Sequence, residues 1–147
     1  MKQAIALNHE FVEFIPTQLK ERTVYISIRF ATVSHLCPCG CNNKVVTPLK
    51  PTDWMLIFDG KTVSLHPSLG NWAFACRSHY WVRNDSVQWA EEWSTEEIAA
   101  GKLDDRRAKE KYQDAGEFAD LLPNKAHKQS GRKQKPLRQK IKDWWTK

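Results

Sequence analysis

Six side chains able to bind a metal or move a proton fall in two short stretches. They are His35-Leu-Cys37-Pro-Cys39-Gly-Cys41 and Cys76-Arg-Ser-His79. Zinc takes four tetrahedral ligands drawn largely from Cys and His. Cysteines at i, i+2 and i+4 on a straight strand would lie about 7 Å apart along one face. Thiolates on one zinc sit about 2.3 Å from the metal, so the segment must curl. Pro38 and Gly40 permit the curl, the first by fixing φ and the second by freeing it. Cys76, from a separate part of the chain, would close the site. The expected metal ligands are Cys37, Cys39, Cys41 and Cys76, with zinc as the cofactor.

Six candidates exceed four places. If the site is closed by four cysteines, His35 and His79 are left free beside the hydroxyls of Ser64, Ser68 and Ser78. A histidine within hydrogen-bond reach of a serine makes a nucleophile, and Asn71 could orient the base or stabilise an oxyanion. If instead three protein ligands hold zinc and water takes the fourth place, the result is a metallohydrolase. That alternative lacks an obvious general base of the His-Glu-x-x-His kind. The expected catalytic residues are Ser68, His79, His35 and Asn71.

These residues need elements to position them. Thr23 to Val33 alternates with period two and reads as one strand, with Val24, Ile26, Ile28 and Phe30 on one side. The cysteine stretch with Asn42-Asn43 reads as a turn, and Val45 to Thr47 as a short strand closed by Pro48 and Pro51. Trp54 to Phe58, Asp59-Gly60 and Thr62 to Leu65 read as a hairpin. Pro67 to Asn71 reads as a loop, and Phe74 to Cys76 as strand-like. His79 to Arg83, the turn Asn84-Asp85 and Ser86 to Trp89 form a second hairpin. Five of the seven Trp lie between residues 54 and 93, which helps a small β domain bury enough area to fold. Ser94 and Glu97 form a capping box that starts a helix, with Gly101 and Gly116 as break points and Pro123 as its end.

The chain has 147 residues, 41% hydrophobic and 27% charged, which suits a single folded domain with a short appendage. The net charge is +6, but it is unevenly placed. Residues 125–147 carry +8, residues 94–124 carry −3 and residues 1–93 carry +1. The tail could contact nucleic acid through Lys and Arg, with Trp144 and Trp145 for stacking. A solvated extension, with a basic helix at 137–145, is the favoured expectation. No apolar run of membrane-spanning length is present, and the N-terminus lacks a signal-peptide core, so a cytoplasmic protein with no membrane partner is expected. Reduced cysteines fit that setting.

The strings His35-Leu-Cys-Pro-Cys-Gly-Cys41, Val45-Val-Thr-Pro-Leu49, Pro67-Ser-Leu-Gly-Asn-Trp72 and Cys76-Arg-Ser-His-Tyr-Trp81 occur in order with Asp59-Gly60 and Val63-Ser-Leu65. Over residues 9–93 the chain resembles a small bacterial and phage domain-of-unknown-function family. Its members are encoded beside ubiquitin-like proteins and their activating and conjugating enzymes. The resemblance implies a peptidase that matures a ubiquitin-like protein or removes it from targets. The family pattern often has Gly after the third Cys, where this chain has Asn42, a residue that also tolerates left-handed backbone.

The expected protein is α+β and mainly β. Residues 1–93 form a zinc-stapled, mainly antiparallel β domain, 94–123 a helical extension and 124–147 a flexible basic tail. The expected activity is hydrolysis of a ubiquitin-like precursor or conjugate by acyl transfer to Ser68, assisted by His79. The alternatives are a non-enzymatic zinc module that binds protein or nucleic acid, and an open-site zinc metallopeptidase.

Overall fold

A computed structural model describes residues 2–121, with side chains as far as residue 116. The basic tail and its expected helix lie outside the described residues.

Nine strands precede one helix: β1 (Ile5–Ala6), β2 (Asn8–Phe11), β3 (Thr23–Ser27), β4 (Thr32–Leu36), β5 (Lys44–Pro48), β6 (Met55–Phe58), β7 (Val63–Gly70), β8 (His79–Arg83), β9 (Ser86–Trp89) and α1 (Thr95–Leu121). They make a five-stranded sheet in the order β1-β9-β8-β7-β6 and a four-stranded sheet in the order β2-β3-β4-β5. The class is α+β, mainly β, as the residue pattern predicts. Pairing is antiparallel except for β2 on β3, which run parallel. Val24, Ile26, Val33 and Val45 of one sheet and Val63, Leu65, Leu69, Tyr80, Val82 and Val87 of the other bury into one shared core. Both sheets and the helix as far as Gln113 form one unit.

Three local expectations change. The single strand expected from Thr23 to Val33 is two strands joined by a tight reversal. Ser27 ends the first: its hydroxyl donates to Glu13 C=O at 2.7 Å, and Ala31 takes a positive φ of 46° at the turn. Ile28 and Phe30 therefore sit on the loop, 62% and 51% exposed, despite their even spacing with Val24 and Ile26. The loop expected at Pro67 to Asn71 is instead the far half of β7, which runs to Gly70. Its turn-forming residues serve a bulge: His66, Pro67 and Ser68 lie between the Leu65–Val82 and Leu69–Tyr80 pairs, opposite Trp81 alone. Phe74 to Cys76 is a turn, closed by Arg77 N–H on Phe74 C=O at 3.0 Å.

The hairpins expected at Trp54–Leu65 and His79–Trp89 both form, the first with its return strand extended to Gly70. The second turns through Asn84 and Asp85, both with positive φ. The helix starts on its capping box: Ser94 Oγ accepts from Glu97 N–H at 3.2 Å, and Glu97 Oε2 accepts from Ser94 N–H at 2.7 Å. It runs through Gly101 and Gly116 without a break. Ile98 is its buried anchor.

Candidate active site and cysteine cluster

Alternation along β7 sends Val63, Leu65 and Leu69 into the core. Ser64, Ser68 and Gly70 take the opposite face. On β8 the core face belongs to Tyr80 and Val82, which places His79 on the same outer face as Ser68. Gly70 pairs directly with His79 across the ladder. Ser68 is the next outward residue before Gly70 on β7. His79 Nε2 lies 2.9 Å from Ser68 Oγ.

The other imidazole nitrogen decides the tautomer. His79 Nδ1 lies 2.9 Å from Glu91 C=O. A carbonyl only accepts, so a hydrogen bond there puts the proton on Nδ1 and leaves the Nε2 lone pair facing the serine hydroxyl. Ser68 is thereby hydrogen-bonded to a base that is itself oriented by a third group.

Aromatic rings shield the pair. Trp72 and Trp93 stack at 5.6 Å, and each lies 5.0 Å from the His79 ring, which is 8% exposed. A side chain at Gly70 would strike the Trp72 indole, and a Cβ at Gly101 would come within 2.9 Å of Trp93. The two glycines thus let the two indoles close over the histidine. Ser68 and His79 open on a cleft of about 340 Å³ bounded by Trp54, Gly70, Trp72 and Trp93 and by Ile98 to Lys109 of the helix. Lys109 Nζ ties the helix to Asp53 of the cleft lining at 2.8 Å, and lies 2.9 Å from Asp105 one turn earlier on the same helix. Trp54 Nε1–H reaches Ser68 C=O at 3.4 Å and supports the bulge.

His35 and Asn71 lie in a different network. His35 is buried, with Nε2 2.8 Å from the Tyr80 hydroxyl and, among the described residues, no hydrogen-bond partner at Nδ1. Burial pulls its pKa down to about 4. Asn71 Nδ2 donates to Ser78 Oγ at 2.9 Å and reaches the Tyr80 hydroxyl at 3.3 Å. Ser78 Oγ lies 3.1 Å from Cys37 Sγ. This chain of polar contacts links the cysteines to β8, next to His79. Ser64 is occupied elsewhere, accepting from Asn84 N–H at 2.9 Å.

The four cysteines converge. Their sulfurs all lie within 4.8 Å of one another, with 3.4 Å between Cys37 and Cys39, 3.8 Å between Cys37 and Cys76, and 3.7 Å between Cys41 and Cys76. Four thiolates each about 2.3 Å from a tetrahedral zinc would be about 3.8 Å apart, so the donor set fits such an ion. The curl comes from Gly40 at φ 88° and Asn42 at φ 58°, and Asn42 takes the left-handed backbone that Gly supplies elsewhere. Neither histidine is in the cluster.

The sequence therefore names the Ser68–His79 pair and the cysteine set. It misses the Glu91 carbonyl, the indole shield and the Asp53–Lys109 tie. Glu91 acts through its backbone, which leaves no residue-type signal. The two tryptophans carry a weak one, the coincidence of Gly70-Asn-Trp72 with Trp93 and Gly101.

Comparison with curated proteins and with solved structures gives no match. Comparison with family models gives one over residues 11–90, described as a bacterial ubiquitination-like system serine protease. That stretch is more than half of the chain and contains the bulge, the histidine and all four cysteines, so the chain belongs to the bacterial ubiquitination-like system serine protease (BubE) family.

Proposed function

We propose that this protein hydrolyses the bond joining the C-terminal tail of a ubiquitin-like protein to a trailing peptide or a target amine, with Ser68 as nucleophile and His79 as general base. The observation that carries the reading is the Ser68 Oγ–His79 Nε2 contact at 2.9 Å, with Nδ1 held by a carbonyl. Membership in a serine protease family supports it.

The steps follow from the geometry. Ser68 Oγ attacks the substrate carbonyl carbon as its proton passes to His79 Nε2. Glu91 C=O accepts from Nδ1–H throughout and stabilises the imidazolium in one orientation. His79 then returns the proton to the leaving amine, the amide C–N bond breaks and an ester to Ser68 remains. Water, deprotonated by His79, cleaves that ester and regenerates the hydroxyl. Trp72 and Trp93 limit water at the imidazole and hold its plane. His35 and Asn71 serve as positioning residues, which hold the start of β8 through Tyr80 and Ser78.

The cysteine cluster takes zinc as a closed structural site, held by Cys37, Cys39, Cys41 and Cys76. Four thiolates leave no position for water or substrate, which favours a structural role over an open-site metallopeptidase. The ion would staple the turn after β4 to the turn before β8.

The decisive experiment incubates the purified protein with a ubiquitin-like precursor carrying a C-terminal extension and follows its cleavage by mass. The wild-type chain should release the extension, and a fluorophosphonate should label Ser68. Unimpaired cleavage by Ser68→Ala would overturn the assignment.

A further inference from the structure

The hydrogen-bonding parity of the five-stranded sheet exposes one unpaired stretch of backbone. Ala90 N–H donates to His79 C=O at 3.0 Å, so His79 turns its main-chain polar groups toward β9. Asn71 N–H donates to Ser78 C=O at 2.9 Å, so Ser78, and Tyr80 two residues on, turn theirs toward β7. Gly70 is opposite His79. By the alternation of an antiparallel ladder, its N–H and C=O point away from β8, toward the side that β6 occupies further along.

β6 does not reach it. Its first residue, Met55, pairs with His66, and the chain before it departs to bridge Trp54 with Leu49. Among the described residues, neither polar group of Gly70 has a hydrogen-bond partner. Gly70 lines the same cleft as Ser68. Trp72 covers its face, so access is along the edge of the strand. An open N–H and C=O on a strand edge is a template for another extended chain.

We infer that Gly70 is the docking point for substrate backbone: one residue of the substrate pairs with it as an added antiparallel strand, through Gly70 N–H and C=O. This rests on the reading of Ser68 as the nucleophile. Ser68 and Gly70 are two residues apart, about 7 Å along a strand. The paired substrate residue is therefore the second or third before the scissile bond. It lies on the acyl side because a maturing or deconjugating enzyme meets one constant tail and many leaving groups. The recognition element is an extended, unstructured tail read through its main chain, which tolerates varied side chains at the paired position.

The test uses fluorogenic peptides with the tail sequence of the cognate ubiquitin-like protein, N-methylated at one position at a time. The full chain is used, so no variant has to fold. Methylation at the second or third residue before the scissile bond should lower kcat/KM at least tenfold at one of the two. Methylation at the position next to the sensitive one, whose N–H would face away, should cost less than threefold. A flat profile across both positions overturns the inference. Acyl-enzyme formation, read by intact mass in the same reactions, separates the two claims. An adduct on Ser68 with a flat profile rejects the Gly70 pairing alone. Cleavage of the unmethylated peptide that persists unchanged after fluorophosphonate treatment of the protein rejects the nucleophile and the pairing together.

Discussion

Gly70 stands directly across from His79 in the β7–β8 ladder, and its missing side chain leaves room for the Trp72 indole that closes over the imidazole. Adding one methyl group there should displace the indole. Gly70→Ala is expected to destabilise the fold by about 1–3 kcal/mol through overpacking. In a Trp72→Ala background the added cost should fall below about 0.5 kcal/mol, because the clashing ring is gone. Urea unfolding of the four proteins in a double-mutant cycle checks this, and additive losses would show that the clash is not what Gly70 avoids.

Ser68 and His79, as the proposed reacting pair, should behave as a unit. Ser68→Ala and His79→Ala are each expected to lower kcat by about 10³-fold or more, with the double variant little worse than either. Fluorophosphonate labelling should vanish in Ser68→Ala and slow sharply in His79→Ala. Single-turnover cleavage of a ubiquitin-like precursor measures the first effect, and intact mass the second.

Asn71 and His35 should separate from that pair. Both hydrogen-bond to Tyr80, and among the described residues neither hydrogen-bonds to Ser68 or to His79. Asn71→Ala should lower kcat less than about 100-fold and still permit labelling of Ser68. A loss equal to that of Ser68→Ala would place Asn71 on the reacting atoms instead. His35→Ala should mainly lower the unfolding midpoint, since it empties a buried site.

Metal removal should act on the fold rather than on the chemistry alone. A strong chelator is expected to withdraw one zinc per chain and lower Tm by roughly 10 °C or more, with activity lost in parallel with structure. Cys37→Ser should reproduce the loss, as Cys37 is the buried member of the cluster. Elemental analysis with circular dichroism follows both. Full loss of activity with an unchanged melting curve would argue for an open, catalytic ion.

Asp59 supplies an acid-pH signature. Its carboxylate accepts from the backbone N–H groups of Thr62 and Lys61 and from the Thr62 hydroxyl, which lowers its pKa from 3.8 to about 2. A carboxylate depressed in the folded state contributes stability that is present above its ordinary pKa and lost as pH falls through the folded value. Stability should therefore decline between pH 3.8 and about 2, and Asp59→Asn should flatten that decline. Urea midpoints across this range give the comparison.

Several residues of the candidate site are legible in the sequence. Ser68, His79 and the four cysteines are conspicuous because their chemistry resides in the side chain, and spacing such as Cys-x-Cys-x-Cys restricts what the backbone must do. The capping box at Ser94 and the turn at Asn84-Asp85 are local for the same reason: each depends on residues within one turn of chain. Period-two alternation misled at Thr23 to Val33 because an apolar residue on an exposed loop looks the same in sequence as one in the core. It was silent at Pro67 to Gly70, where turn-forming residues build a bulge inside a strand.

The sequence by itself determined which groups can react and which can bind a metal. The sequence pairs Ser68 with His79 and keeps His35 as a further candidate; the tertiary structure sets a serine against His79 and the Tyr80 hydroxyl against His35. That difference follows from strand parity: His79 and Ser68 share the outer face of the sheet, while the core-facing Tyr80 draws His35 into the interior. The proton acceptor that orients His79 is a main-chain carbonyl twelve residues later, brought back to it by the reversal at Asn84-Asp85. Backbone groups are alike at every position, so no residue identity could have announced it.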